Sequence, residues 1–131
     1  MGYKILTEVI NKDDRYCYTI IQTKEGKFTG WSHCHPDDKF SIYSGTRYAE
    51  RRAVAAWARH KAVLARLQLR TVQNLKKDFK NKPIPRELKL KIRDYSKEVE
   101  YWTKTAHNLE EAITLDDKQR SDILTRFSHN E

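Results

Sequence analysis

The chain has 131 residues, of which 34% are charged and 38% hydrophobic, with four Gly, three Pro and a formal net charge of +8. That length makes one domain with a modest core, and the composition excludes a disordered or all-β chain. No apolar run approaches the roughly 18 residues needed to span a bilayer, and MGYKILTEVINKDD lacks a signal-peptide core. Leu6 stands where a myristoylation signal needs Ser or Thr. A cytoplasmic protein with no membrane partner is the expectation.

In chain order, Tyr3–Ile10 alternates as a strand, and Asn11–Asp14 has turn chemistry, because Asn and Asp bond locally to the backbone. Arg15–Thr23 is rich in β-branched and aromatic residues, with Tyr16, Tyr18 and Ile20 on one face and Cys17, Thr19 and Ile21 on the other. Lys24–Lys27 reads as a hairpin turn in which Gly26 supplies a positive φ. Phe28–Cys34 completes a three-stranded meander, and Gly30 inside it predicts a bulge or a close backbone approach. Cys17 and Cys34, both in predicted strands, make no disulfide framework and read as buried free thiols.

Beyond Pro36 the pattern becomes helical. Ser44 is the predicted N-cap of a run from about Thr46 to Phe79 that has no Pro and no Gly. Ala49, Ala53, Ala56, His60, Val63 and Leu67 share one face, continued by Leu64, Val72, Leu75 and Phe79. About 34 residues make a rod of roughly 50 Å, too long for three short strands to cover. A Pro-containing loop follows, and then Leu88, Ile92, Tyr95, Val99, Trp102, Ala106, Leu109 and Ile113 recur at alternating spacings of 4 and 3. This heptad seam predicts a second helix folding back on the first as an antiparallel hairpin. Thr114 and Asp117 resemble a capping box, which would open a short third helix from about Leu115 to Phe127, anchored by Ile123, Leu124 and Phe127.

The fold expected is therefore α+β: a three-stranded antiparallel sheet packed on a long helix, then a helical hairpin and a short C-terminal helix. Residues 1–43 form the meander and turn, 44–80 the long basic helix, 86–113 the heptad helix and 115–128 the short helix, all within one domain spanning 1–131.

Charge separates these segments. Residues 1–43 balance six basic against six acidic side chains, and residues 86–131 nine against ten. Residues 44–85 carry eleven basic side chains against Glu50 and Asp78. The whole excess sits on the long helix, and self-repulsion on that scale favours an anionic partner or the acids of the second helix, Glu98, Glu100, Glu110 and Glu111. Arg47, Arg51, Arg52, Arg59, Lys61, Arg66 and Arg70 are the candidate anion- or nucleic-acid-binding residues. Trp31, Tyr43 and Tyr48 are candidates to stack on bases beside guanidinium groups, whereas Trp57 is expected to close the sheet–helix core.

WSHCHPDDKFSIYSG, residues 31–45, holds the one cluster suggestive of site chemistry. On a strand His33 and His35 point the same way and Cys34 the other. These histidines are the metal candidates, with Asp37, Asp38 or His60 to complete a set, but no Cys-x-x-Cys or His-x-x-x-His partner accompanies them. A thiol nucleophile at Cys34 would need a base and an oxyanion hole, neither of which the sequence advertises. The stretch reads as a bend: Pro36 ends the strand, Asp37 and Asp38 accept bonds in the turn, and Phe40 and Ile42 anchor the entry to the helix. No catalytic residue, metal or cofactor is assigned.

Residues 26–55, GKFTGWSHCHPDDKFSIYSGTRYAERRAVA, resemble a pattern of small uncharacterised phage and bacterial proteins. A glycine-containing strand leads there into Cys-His-Pro-Asp-Asp, a Gly and an Ala- and Arg-rich helix, here Gly30, Cys34, His35, Pro36, Asp37, Asp38, Gly45, Ala49, Arg52 and Ala53. The meander followed by a Gly-started basic helix is also similar to the later part of a double-stranded-RNA-binding domain, whose last helix meets phosphates through basic residues at its start. Arg47, Arg51 and Arg52 stand at that place, though no helix precedes the first strand, Glu50 interrupts the cluster and the helix runs longer. The resemblance implies a phage or mobile-element accessory protein, acting in the host cytoplasm, with interference with host defence as a role.

The function expected is non-enzymatic binding of nucleic acid or a nucleotide-like signal through the basic helix. The alternative is a protein-binding inhibitor whose hairpin docks on an acidic host protein. Leu88, Ile92, Tyr95, Val99 and Trp102 are the candidate interface, for the hairpin itself and, as a second use, for a homodimer with C2 symmetry.

Overall fold

The computed structural model describes residues 2–34 and 39–129, with side chains through Glu111. Three antiparallel strands, β1 (Lys4–Asn11), β2 (Tyr16–Thr23) and β3 (Gly26–His33), form a meander in the order β1-β2-β3. In the first turn, the Asn11 Oδ1 accepts from the Asp14 backbone N–H at 2.9 Å. The left-handed residue there is Arg15, with φ 58°, rather than an Asn or Asp. In the second, Gly26 takes φ 122°. Thr23 holds that turn, its Oγ1 donating to the Gly26 carbonyl at 3.0 Å and accepting from the Glu25 N–H at 3.1 Å.

The long helix α1 (Ile42–Lys76) covers one face of this sheet. Cys17, Thr19, Ile21 and Thr23 alternate along β2 as its buried residues. A Cβ on Gly30 would overlap the Ala49 carbonyl oxygen and the Ala53 backbone nitrogen, so helix backbone rests directly on strand backbone. Gly30 is thus a close approach, and the bulge lies instead in β1 at Leu6, between Ile5 and Thr7. The core gathers Ile21, Ala53, Val54 and Trp57, with Tyr3, Phe28, Trp102 and Leu109 packed around them. Cys17 is buried in it, and burial pushes its thiol pKa up. Cys34 falls just beyond β3 and is half-buried.

Three expectations need correction. The helix starts before Ser44: its N-cap is Ser41, whose Oγ accepts from the Ser44 N–H at 3.3 Å. Gly45 therefore lies within the first turn, where a Cβ would stand only 2.7 Å from the Cys17 Sγ. At the far end α1 tightens into a single 3-10 turn, Lys77–Phe79.

The second helix, α2, runs unbroken from Arg86 to His129, 44 residues, so no separate helix opens at 115. No Gly or Pro lies between Arg86 and His129, and a Thr-x-x-Asp pattern favours a helix start without ending the helix already under way. Ile113 and the expected anchors Ile123, Leu124 and Phe127 lie outside the described side chains.

The third correction concerns the face α1 turns to α2. The helices are antiparallel, tied by an Arg59–Glu110 ion pair and by Arg66 Nη2 donating to Thr103 Oγ1 at 3.1 Å. Along α2, Leu88 and Ala106 are buried and Ile92, Tyr95, Val99, Trp102 and Leu109 half-buried, so the heptad seam is spent within the hairpin. Facing it are Ala58, Ala62, Ala65 and Val72, all buried, and Leu69. Val63, Leu64, Leu67 and Leu75 are exposed instead. Trp102 and Tyr95 bring the volume, so the opposing row must be small for the interface to close at interior density.

A carboxylate fastens the sheet to both helices. Glu25, in the β2–β3 turn, accepts from the Trp57 Nε1–H at 2.9 Å and from the Lys61 ammonium, which itself lies 5.3 Å from the centre of the Trp102 ring. Trp57 and Trp102 meet with ring centroids 5.6 Å apart. Among the described residues no helix is long and apolar enough to cross a membrane.

A candidate anion-binding cleft at the start of the long helix

The cations of α1 divide according to what they touch. Arg59 pairs with Glu110, Lys61 with Glu25, and Arg66 bonds to Thr103. These three bond within the fold, and Glu110 of α2 supplies part of the neutralisation. Arg70 is exposed further along.

Arg47, Arg51 and Arg52 gather near the helix start at Ile42. Arg47 falls on the second turn and Arg51 and Arg52 about the end of the third, one to two turns beyond the unpaired backbone N–H groups of the first. No acidic residue occupies the first turn. Glu50, which seemed to interrupt the cluster, faces the sheet: the Tyr3 hydroxyl donates to its Oε1 at 2.7 Å. Burial, then the hydrogen bond and the negative charge of Glu50, push the Tyr3 hydroxyl up to about 12.

Arg47 is exposed and lies along the Tyr43 side chain, its guanidinium carbon 5.2 Å from the ring centroid and its Nη1 donating to the hydroxyl at 3.0 Å. One turn on, Arg51 and Tyr48 are half-buried. Together with Ser44 these four side chains line an open polar cleft of about 270 Å³. That falls below the range of drug-sized pockets, roughly 300–1,000 Å³. Tyr48, Ser44 and Arg52 also border a smaller pocket of about 70 Å³ reaching to Ser32 and Cys34.

Arg52 links this cleft to the sheet. Its Nη1 donates to the backbone carbonyl of Trp31 at 2.6 Å, on the edge strand β3. The Trp31 indole stands on the face of the sheet away from α1, 54% exposed. It is not alone there. Its ring lies 4.6 Å from that of Tyr18 and 5.6 Å from that of Tyr16. Neither tyrosine was singled out among the stacking candidates, although the alternation of β2 placed both on one face, and the pairing of Tyr18 with Trp31 follows once the meander is in register.

The candidates in the 31–45 stretch are placed in part. Cys34 is held by Arg15, its N–H donating to the Arg15 carbonyl at 2.8 Å and its Sγ accepting from Arg15 Nη2 at 3.3 Å. His33 is exposed, opposite Tyr16 in register. His60 packs on Phe28, ring centroids 5.4 Å apart. His35, Asp37 and Asp38 lie outside the described residues. Among the described residues no three His, Cys, Asp or Glu side chains gather as a metal site would require.

No protein-family model, no curated protein and no solved structure matches the chain.

Proposed function

We propose that this protein is a non-enzymatic binder of nucleic acid, which it holds by the phosphates at the start of α1. The observation that carries this reading is the cleft of Tyr43, Arg47, Tyr48 and Arg51 at the positive end of a 35-residue helix with no acid in its first turn. Arginine forks suit phosphate oxygens, and a neighbouring aromatic ring limits their motion. Arg59, Lys61 and Arg66 bond within the fold, and Arg47, Arg51 and Arg52 are the contact residues proposed at and beside this cleft.

The test is fluorescence anisotropy of short single-stranded and duplex oligonucleotides over a salt series. Wild type should bind, with log affinity falling linearly in log salt. Arg47→Ala combined with Arg51→Ala should weaken binding and flatten that slope by about 0.7–0.9 per lost phosphate contact. A slope unchanged in the variant would remove the cleft from consideration. Absence of binding at low salt would discard nucleic acid.

A second reading rests on the exposed row of Val63, Leu64 and Leu67. With Arg70 nearby on the same helix, it favours an acidic protein partner docking on the hairpin. Loss of function in a Val63→Ser, Leu67→Ser variant with Arg47 and Arg51 intact would select it.

A further inference from the structure

We infer that the open face of the sheet is a stacking platform for unpaired bases, so that the nucleic acid this protein holds is single-stranded. The inference rests on the reading above and names the state of its ligand. The argument starts from the register. Pairing of Tyr18 with Trp31, Tyr16 with His33 and Gln22 with Lys27 puts these residues on the face opposite the buried Cys17, Thr19 and Ile21. Among the described residues α1 covers only that buried face, and α2 packs on α1 rather than on a strand.

Three rings therefore stand in contact on a surface that nothing described covers, with Trp31 the most exposed and Tyr18 beside it at 4.6 Å. A solvent-facing position on an edge strand is served by Thr or Lys at no cost, and Thr29 and Lys27 fill such positions here. Trp at position 31 instead presents a broad π-face to water.

Charge selects the occupant. None of the outward residues on the paired strands is acidic, and Lys4, Lys27 and His33 stand among them. Glu8, the acid of β1, pairs with Thr19 and so belongs to the other face. Among the described residues the nearest carboxylates are Asp13 and Asp14 in the β1–β2 turn, beside Tyr16, and Lys4 and Lys27 stand toward the other end of the strands. The strand residues themselves present an aromatic surface without carboxylates, which is matched to bases joined by phosphates. Stacking on such rings tolerates any base, because each has a π-face, but needs the base out of a duplex. Arg52, one residue beyond Arg51 on α1, bonds to the backbone of Trp31 itself, which brings this part of α1 against the edge strand that carries the platform. A strand with bases on Trp31 and Tyr18 can run its phosphates past the edge of β3 toward Arg51 and Arg47.

The full chain is titrated with an oligothymidylate, an oligouridylate, a duplex of equal length and an abasic deoxyribose-phosphate strand of the same charge. Both single strands should bind more tightly than the duplex, and the abasic strand about tenfold or more below oligothymidylate. Trp31→Ala should lose about tenfold in single-strand affinity with an unchanged salt slope, and Trp31→Phe should recover most of it. Trp31 is largely exposed, so these variants fold, and circular dichroism checks it. Equal binding of abasic and oligothymidylate strands, or preference for duplex, would overturn the platform while leaving the arginine cleft standing. Binding lost only in the Arg47/Arg51 variant and not in Trp31→Ala has the same meaning. No binding of any strand at low salt would remove the cleft and the platform together. A gap between oligothymidylate and oligouridylate, which differ in the 2′-hydroxyl and in the thymine methyl, would with the abasic gap intact support the platform, and an oligodeoxyuridylate separates sugar from methyl.

Discussion

Glycine at position 30 lets the helix backbone of Ala49 and Ala53 lie on strand backbone, and any Cβ there would need α1 to lift away. Gly30→Ala should therefore destabilise the fold by about 3 kcal/mol or more, beyond ordinary overpacking, because the obstacle is main chain that cannot change rotamer. Thermal unfolding followed by circular dichroism measures it. A second residue-scale prediction concerns Glu25. Hydrogen bonding to the Lys61 ammonium, joined by the Trp57 N–H, holds its carboxyl below the usual carboxylate range. A depressed folded-state pKa contributes stability above the unfolded value, near 4.3, that is lost as pH falls through the folded value. Glu25→Gln should thus be less stable than wild type by about 1 kcal/mol at pH 7, and the two should converge in acid. Urea titrations at several pH values below 6 follow that gap, and a constant gap would assign the effect to packing.

At the scale of elements, the start of α1 is set by Ser41 rather than Ser44. Ser41→Ala should cost about 1 kcal/mol, whereas Ser44→Ala should cost little. Chemical denaturation of the two variants distinguishes them directly. The hairpin makes a complementary prediction. Ala62 is 3% exposed and faces the heptad seam, so Ala62→Leu should destabilise by about 1–3 kcal/mol despite being a better-packed residue by composition alone. A lowered midpoint in thermal unfolding followed by circular dichroism measures it.

Much of this scale was legible beforehand. Strand alternation, Gly26 and the heptad seam of α2 each depend on local chemistry, and each element formed where that chemistry stood. What escaped was relational. Helical spacing from Ala49 and Ala53 carries the predicted inward face of α1 through Val63 and Leu67, but Trp102 and Tyr95 across the interface demand the row of Ala58, Ala62 and Ala65, and a single helix does not state what it will face. Thr114 and Asp117 offered a helix start, yet a start signal is idle without a stop before it. Tyr16 and Tyr18 were recognised as one face of β2, and only pairing with β3 brought them to Trp31.

For the molecule as a whole, α1 meets every strand and also α2, so sheet and hairpin are expected to unfold together, as one transition. Arg47, Arg51 and Arg52 gather near the start of that central helix, and Arg70, Lys76 and Lys77 lie toward its far end. A polyanion such as heparin should therefore raise the melting temperature in low salt, and the shift should disappear near 0.5 M salt, on the order of a Debye length of a few ångströms. Differential scanning fluorimetry across a salt series reads both effects, and a salt-independent shift would speak against a charge-borne interaction.

The notch at Gly30 has one more consequence. Because strand and helix backbones interlock there, α1 cannot slide along the sheet without driving a side chain into β3. The span from the Trp31 backbone to the Arg47 backbone is therefore fixed like that between two marks on a ruler. Affinity should then depend on oligonucleotide length in a step: fragments shorter than the span engage rings or cations but not both, and once the span is reached each added nucleotide contributes little.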